Sequence, residues 1–178
     1  MLLTEFDANR QAIINPEDLN ESLEGFPKIA VSCFSRSTFQ RMLEMFPHEL
    51  IYETSMANVA IPIYKLVIAE HELALFNTPV GASACVAILE DIFALGADKL
   101  VLFGTCGVLD EDIKETSIII PSHALRDEGT SFHYVEASDE IEVNVSVLDR
   151  FRSYLNERKI SHREGKVWTT DGIYRETS

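Results

Sequence analysis

Short runs of unbroken apolar residues alternate along this chain with stretches whose apolar residues recur at helical spacing, and that alternation is the strongest constraint on its fold. Lys28 to Ser32 reads as a buried strand, followed by a helix over Ser35 to Phe46 with Phe39, Met42, Leu43 and Phe46 on one face and Ser35 as N-cap. Ile61 to Ala69 and Glu72 to Phe76 read as strands of a hairpin turning near Glu70-His71. A helix from about Ser83 to Leu95 follows, with Gly96 as its C′ residue. Lys99 to Phe103 and Thr116 to Pro121 are expected as buried strands, the second antiparallel or bent. Asn144 to Lys159 is expected as a helix with Val147, Leu148, Phe151, Tyr154 and Leu155 on one face, and Gly165 to Thr170 as a strand. Continuous apolar strands separated by helices imply a central, mostly parallel sheet with helices on both faces. Residues 1–27 read as a polar N-terminal extension with loop signals at Asn15-Pro16 and Gly25, and 28–178 as the α/β domain.

Charge narrows the partners. With 15 basic against 29 acidic residues, a formal net charge of −14 and no basic stripe, the chain is a poor match for nucleic acid or an anionic membrane. A small anion remains compatible, because one or two arginines and oriented amides hold a phosphate inside an acidic protein. The cysteines Cys33, Cys85 and Cys106 have no metal-site spacing and read as reduced thiols. With no basic, apolar leader at Met1 to Asp7 and no apolar run near the roughly 20 residues that span a bilayer, a cytoplasmic location is expected.

Three segments carry the chemistry. In Val101 to Leu109 an apolar run breaks into Gly104-Thr105-Cys106-Gly107, a turn that offers amides and one hydroxyl to an anion at a strand's carboxyl end. Taken alone, this is equally a structural turn. Arg126-Asp127-Glu128-Gly129-Thr130-Ser131-Phe132-His133-Tyr134 mixes polar and aromatic residues around a glycine, and Val167 to Thr177 contains Thr170-Asp171-Gly172-Ile173-Tyr174. In this order and at these separations, from about Lys28 to Ser178, they resemble the nucleoside phosphorylase family, in its uridine phosphorylase-like branch.

The resemblance implies a three-layer α/β/α sandwich with a central, mostly parallel mixed sheet. It also implies phosphorolysis of a nucleoside's N-glycosidic bond to a free base and ribose 1-phosphate. No metal or cofactor is expected beyond inorganic phosphate as co-substrate, and the partners are the nucleoside, phosphate and further copies of the chain in a dimer or hexamer. Ser32-Cys33-Phe34-Ser35-Arg36 stands where many members carry a Gly-Asp-Pro-x-x-Arg-like phosphate loop, with Ser32 and Cys33 in place of Gly-Asp and Arg36 near the phosphate arginine. An N-capped helix with a solvated arginine is the alternative there. The expected phosphate site is thus Ser32, Ser35, Arg36, Gly104 and Thr105, and the expected ribose and base site is Thr105, Cys106, Gly107, Ile173 and Tyr174. Arg126 and His133 would bind substrate hydroxyls or order a lid; alternatively His133 and Tyr134 pack on a neighbouring subunit.

There are departures from the family pattern. Leu102 replaces an arginine that many members place two residues before the motif glycine, and Ile173 holds the position that stacks on the base. The family's ribose-gripping Glu-Met-Glu segment and a later base-contacting residue would come after Ser178, so the chain reads as C-terminally incomplete. A nucleosidase that uses water, or a truncated non-catalytic relative, are the alternatives.

Overall fold

The computed structural model describes residues 5–113 and 118–175. They form two compact units, one of residues 9–105 and the other of the described residues from 106 onward with residues 5–8. Both are mixed α/β structures. Among the described residues, no helix is long and apolar enough to cross a membrane.

In the first unit the elements run α1 (Pro16–Leu19), β1 (Ile29–Cys33), α2 (Arg36–Met45), β2 (His48–Met56), β3 (Val59–Ile68), β4 (His71–Asn77), α3 (Ala82–Leu95) and β5 (Lys99–Phe103). The five strands form one mixed sheet in the order β2-β3-β4-β1-β5. β4 and β5 pair parallel with β1, whereas β2-β3 and β3-β4 are antiparallel. Strand alternation sends Val31, Cys33, Leu66 and Leu75 to one face, where Phe39 and Leu43 of α2 cover them. The residues between them, Ala30, Ala74 and Phe76, meet Ile88, Ile92 and Leu95 of α3 on the other face. Two helices on opposite faces make this unit three layers deep.

Several local signals act as expected. The Ser35 hydroxyl accepts from Thr38 N at 3.2 Å and caps α2. The hairpin turns at Ala69 and Glu70, both at positive φ (48° and 68°), the geometry that matches the twist of its strands. Gly96 ends α3 at φ 132°, where a side chain is strained.

Three features differ from the sequence reading. β2 was not anticipated, because it is an edge strand with only Thr54 buried and carries no continuous apolar run. β5 has the expected bounds but is the other outer strand, so Val101, Leu102 and Phe103 are 45, 37 and 40% exposed rather than buried. The stretch before Lys28 packs on α3: the Asn20 amide donates to Asp91 Oδ1 at 2.7 Å, Leu23 N donates to Leu95 O at 3.0 Å, and Phe26 joins the core.

The second unit contains β6 (Ile118–Asp127), a 3₁₀ turn (Thr130–His133), β7 (Glu140–Glu142), α4 (Val145–Glu157) and β8 (His162–Thr170). Its sheet runs β7-β6-β8, with β6-β8 parallel and β6-β7 antiparallel. Thr116 and Ser117, expected at the start of β6, lie outside the described residues. The strand is irregular, with a register shift between Pro121 and His123, and it continues through Asp127, so Arg126 stands in a strand and not in a loop. Asn144 caps α4 by accepting from Ser146 N and Val147 N. The apolar face expected on this helix divides in two, since Leu148 and Leu155 pack with Ile120 while Val147, Phe151 and Tyr154 are exposed.

Arg152 fastens α4 to β8. Its Nη2 donates to Glu164 Oε2 at 2.7 Å, and the guanidinium holds the Glu164 carboxyl below its ordinary value of 4.5. A depressed carboxyl stabilises the fold above its unfolded pKa, and that contribution is lost as the pH falls through the folded value. Unfolding by urea at pH 7 and at pH 3 should therefore show a small acid-dependent loss that Glu164→Gln diminishes. An identical pH response in that variant would assign the loss to other groups.

Candidate functional site

In the first unit, connections leave the neighbouring strands β1 and β4 towards opposite faces, through α2 and α3. In open α/β sheets, ligands bind beyond the strand carboxyl ends at such a reversal. Register sets what lies there: Cys33 is level with both Asn77 and Phe103, so the segments starting at Phe34, Thr78 and Gly104 emerge side by side.

The rim is tied together from below. The Ser32 hydroxyl donates to Phe76 O at 2.9 Å and shares a short hydrogen bond with the Thr78 hydroxyl, with both side chains buried. Asn77 Nδ2 and Thr78 N donate to Cys33 O at 2.6 and 3.1 Å. Ser32, expected at the end of the first strand, and Cys33 both lie in β1, and the buried Ser32 side chain braces the strand ends. Burial pushes the Cys33 thiol pKa up, which keeps it protonated and unreactive. The sequence reading missed Thr78, although Asn77-Thr78-Pro79 directly after a strand is a loop signal.

Above this floor lie the groups that face solvent. Ser35 and Arg36 are exposed at the N-terminus of α2, with Arg36 as its first residue. A guanidinium at the positive end of a helix dipole is repelled unless an anion shares the site, and free amides of the first turn then bind the same anion. Gly104 lies against Phe34: a Cβ there would stand 2.9 Å from Phe34 Cδ2. Thr105 follows, exposed, at the end of this unit. The two segments expected to hold phosphate, Phe34 to Arg36 and Gly104-Thr105, are thus adjacent. Cys106 and Gly107 belong to the other unit and are exposed.

The second unit repeats the geometry on a smaller scale. β6 and β8 run parallel and end level at Asp127 and Thr170. Asp171 N donates to Asp127 O at 3.0 Å, and Asp171 Oδ2 accepts from Gly129 N at 3.1 Å, which joins the two motif segments. Arg126 is 7% exposed. Its Nε donates to Ser131 Oγ at 2.8 Å, and its Nη1 to Glu136 O and Ser138 Oγ, both at 2.8 Å. The guanidinium also sits 4.0 Å from the Phe132 ring centroid. These contacts order the loop and leave little of the guanidinium for substrate hydroxyls. His133 is exposed at the end of the 3₁₀ turn, and Ile173 and Tyr174 are 68 and 94% exposed. A cavity of about 390 Å³ opens beside Arg126, lined also by Leu125, Asp127, Phe132, Ser138 and Asp139. Among the described residues, no three His, Cys, Asp or Glu side chains come together as a metal site needs.

Comparisons with known proteins agree with this architecture. The family model described as the phosphorylase superfamily matches residues 28–178. Uridine phosphorylase of Treponema pallidum is 24% identical over 111 residues, which cover 62% of this chain and 43% of that protein. Guanosine phosphorylase of Halorubrum lacusprofundi is 22% identical over 117 residues, covering 64% of this chain and 48% of its own length. The matched region thus spans less than half of these curated relatives. Among solved structures, uridine phosphorylase of Vibrio fischeri superposes with a TM-score of 0.74 at 18% identity, over 93% of this chain and 68% of that one.

Proposed function

Since the chain belongs to the phosphorylase superfamily, we propose that it cleaves the N-glycosidic bond of a nucleoside with inorganic phosphate, releasing the free base and ribose 1-phosphate. A phosphate oxygen bonds to the anomeric carbon as the carbon–nitrogen bond breaks, and the departing base keeps the electron pair and takes up a proton. The observation that carries this reading is the side-by-side emergence of the Arg36-led N-terminus of α2 and the Gly104-Thr105 turn from adjacent parallel strands. There a guanidinium, helix amides and a hydroxyl can meet one tetrahedral anion.

Within that reading Arg36 and the first-turn amides of α2 hold phosphate and offset its charge. The Thr105 hydroxyl orients phosphate or the ribose. His133 contacts the sugar, and the Ile173 side chain covers the base by dispersion, without the quadrupole an aromatic ring would add. Cytoplasmic salvage by a homo-oligomer is the setting we propose for it.

Leu102 favours a second reading. It stands where many nucleoside phosphorylases carry an arginine, and losing that charge weakens the hold on phosphate relative to water. One assay separates the two: nucleoside loss measured with and without added phosphate. Phosphorolysis predicts dependence on phosphate and formation of ribose 1-phosphate, whereas equal rates in both buffers would indicate hydrolysis. Arg36→Gln should raise the phosphate KM roughly 10- to 100-fold, because hydrogen bonds to charged groups are worth about 1.5 to 3 kcal/mol. Thr105→Val should weaken phosphate or nucleoside use by about 1 to 3 kcal/mol with folding stability unchanged. Unaltered kinetics in both variants would move the phosphate site away from these strand ends.

A further inference from the structure

We propose that Arg126 is a positioning residue, which acts on substrate only through the loop it fastens and so fixes where His133 meets the sugar of a nucleoside. The inference rests on the reading of the chain as a nucleoside-cleaving enzyme, and it adds a reason why a buried cation stands at this place. His133 is carried on a four-residue 3₁₀ turn. A turn of that length has little stability of its own, so its shape must be imposed from outside.

Arg126 imposes it from both sides. Its guanidinium bonds Ser131 and lies over Phe132, just before His133, and it bonds Glu136 O and Ser138 Oγ just after. A weaker contact from Nη2 reaches Val135 O at 3.4 Å. Glu128 completes the clamp, accepting from Ser131 N at 3.0 Å and, in a short hydrogen bond, from the Ser131 hydroxyl. The anchor is rigid, because Arg126 lies within β6, level with Thr169 of the parallel strand β8, and its own N–H donates to Asp139 O at 3.0 Å. Only a planar fork with several fixed donors serves these acceptors together, and a lysine ammonium is a point charge that cannot.

The test compares the full chain with Arg126→Lys and with Ser131→Ala, a milder variant that removes one clamp partner. Hydrogen exchange is followed at the amides of Ser131, Tyr134 and Val135, whose bonds to Glu128 Oε2 and Ser131 O close the loop. Arg126→Lys should speed exchange there by about tenfold or more, with the β6-β8 amides still protected. Ser131→Ala should have a smaller effect at the same places. In turnover, the nucleoside KM should rise about tenfold in Arg126→Lys while the phosphate KM holds, a split that general destabilisation does not produce. Unchanged loop exchange in both variants overturns the proposal. Faster exchange with an unchanged nucleoside KM does so as well, since the clamp would then be structural only. If the unaltered chain neither binds nor cleaves uridine or inosine, the enzymatic reading fails and takes this inference with it, and the exchange data still report whether Arg126 orders the loop.

Discussion

Replacing Phe76 with alanine should lower the unfolding free energy by about 3 to 5 kcal/mol, a substantial part of the 5 to 15 kcal/mol typical of a domain. Phe76 is fully buried in β4 on the face covered by α3. Its neighbours in that cluster include Ala30 and Ala74, whose methyl groups leave the space that the ring occupies. Small side chains on paired strands cannot extend to refill the volume, so most of the cavity should persist and the loss should fall at the upper end for such a change. Ile88→Val, in the same cluster, removes one methylene and should cost only about 0.5 to 1.5 kcal/mol. Urea unfolding of both variants measures the difference. A loss below about 1 kcal/mol for Phe76→Ala would mean that the sheet and α3 do not enclose this ring.

The elements that could be read from the sequence are those whose burial or caps leave a local mark. β1 shows as a continuous apolar run because it is covered on both faces, and α2 shows by its spacing and by Ser35. β2 and β7 left no such mark. β2 is an edge strand with exposed side chains and β7 has three residues, so cross-strand pairing rather than composition defines them. α4 marks a different limit, since apolar spacing gives a helix without saying how many faces it buries, and Phe151 and Tyr154 read like core residues while standing exposed.

The candidate site divides in the same way. Gly104-Thr105 and Arg126 were visible because glycine-broken turns and a charged residue beside aromatics are unusual locally. What each does depends on contacts distant in sequence. Ser32 was expected both to end a buried strand and to contact phosphate, and its hydroxyl reaches Thr78, 46 residues away, where it is buried. Arg126 could be read as a substrate contact or as a residue that orders a lid, and its bonds to Ser131, Glu136 and Ser138 are those of a loop-ordering clamp. Spacing identifies the residue type a turn requires, and only the fold determines which atom the side chain meets.

Gly104→Ala should reduce kcat/KM for phosphate by roughly 100-fold, the scale expected when reacting groups are displaced by about 1 Å. The added Cβ would stand 2.9 Å from Phe34 Cδ2 and 3.5 Å from Cε2, so either the ring or the turn must move. Phe34 starts the segment that leads to Arg36, and Gly104 starts the one that leads to Thr105, so a shift of either separates groups we propose to share one anion. Overpacking of this kind also costs about 1 to 3 kcal/mol of stability. Gly104 does not sit at positive φ, so backbone strain is not the cause, and trimming the ring should relieve the clash. The double variant Phe34→Ala, Gly104→Ala should therefore regain both stability and phosphate use relative to Gly104→Ala alone. Steady-state kinetics with varied phosphate and denaturant unfolding of the four forms complete the cycle. Additive losses in the double variant would show that Gly104 acts through something other than its contact with Phe34.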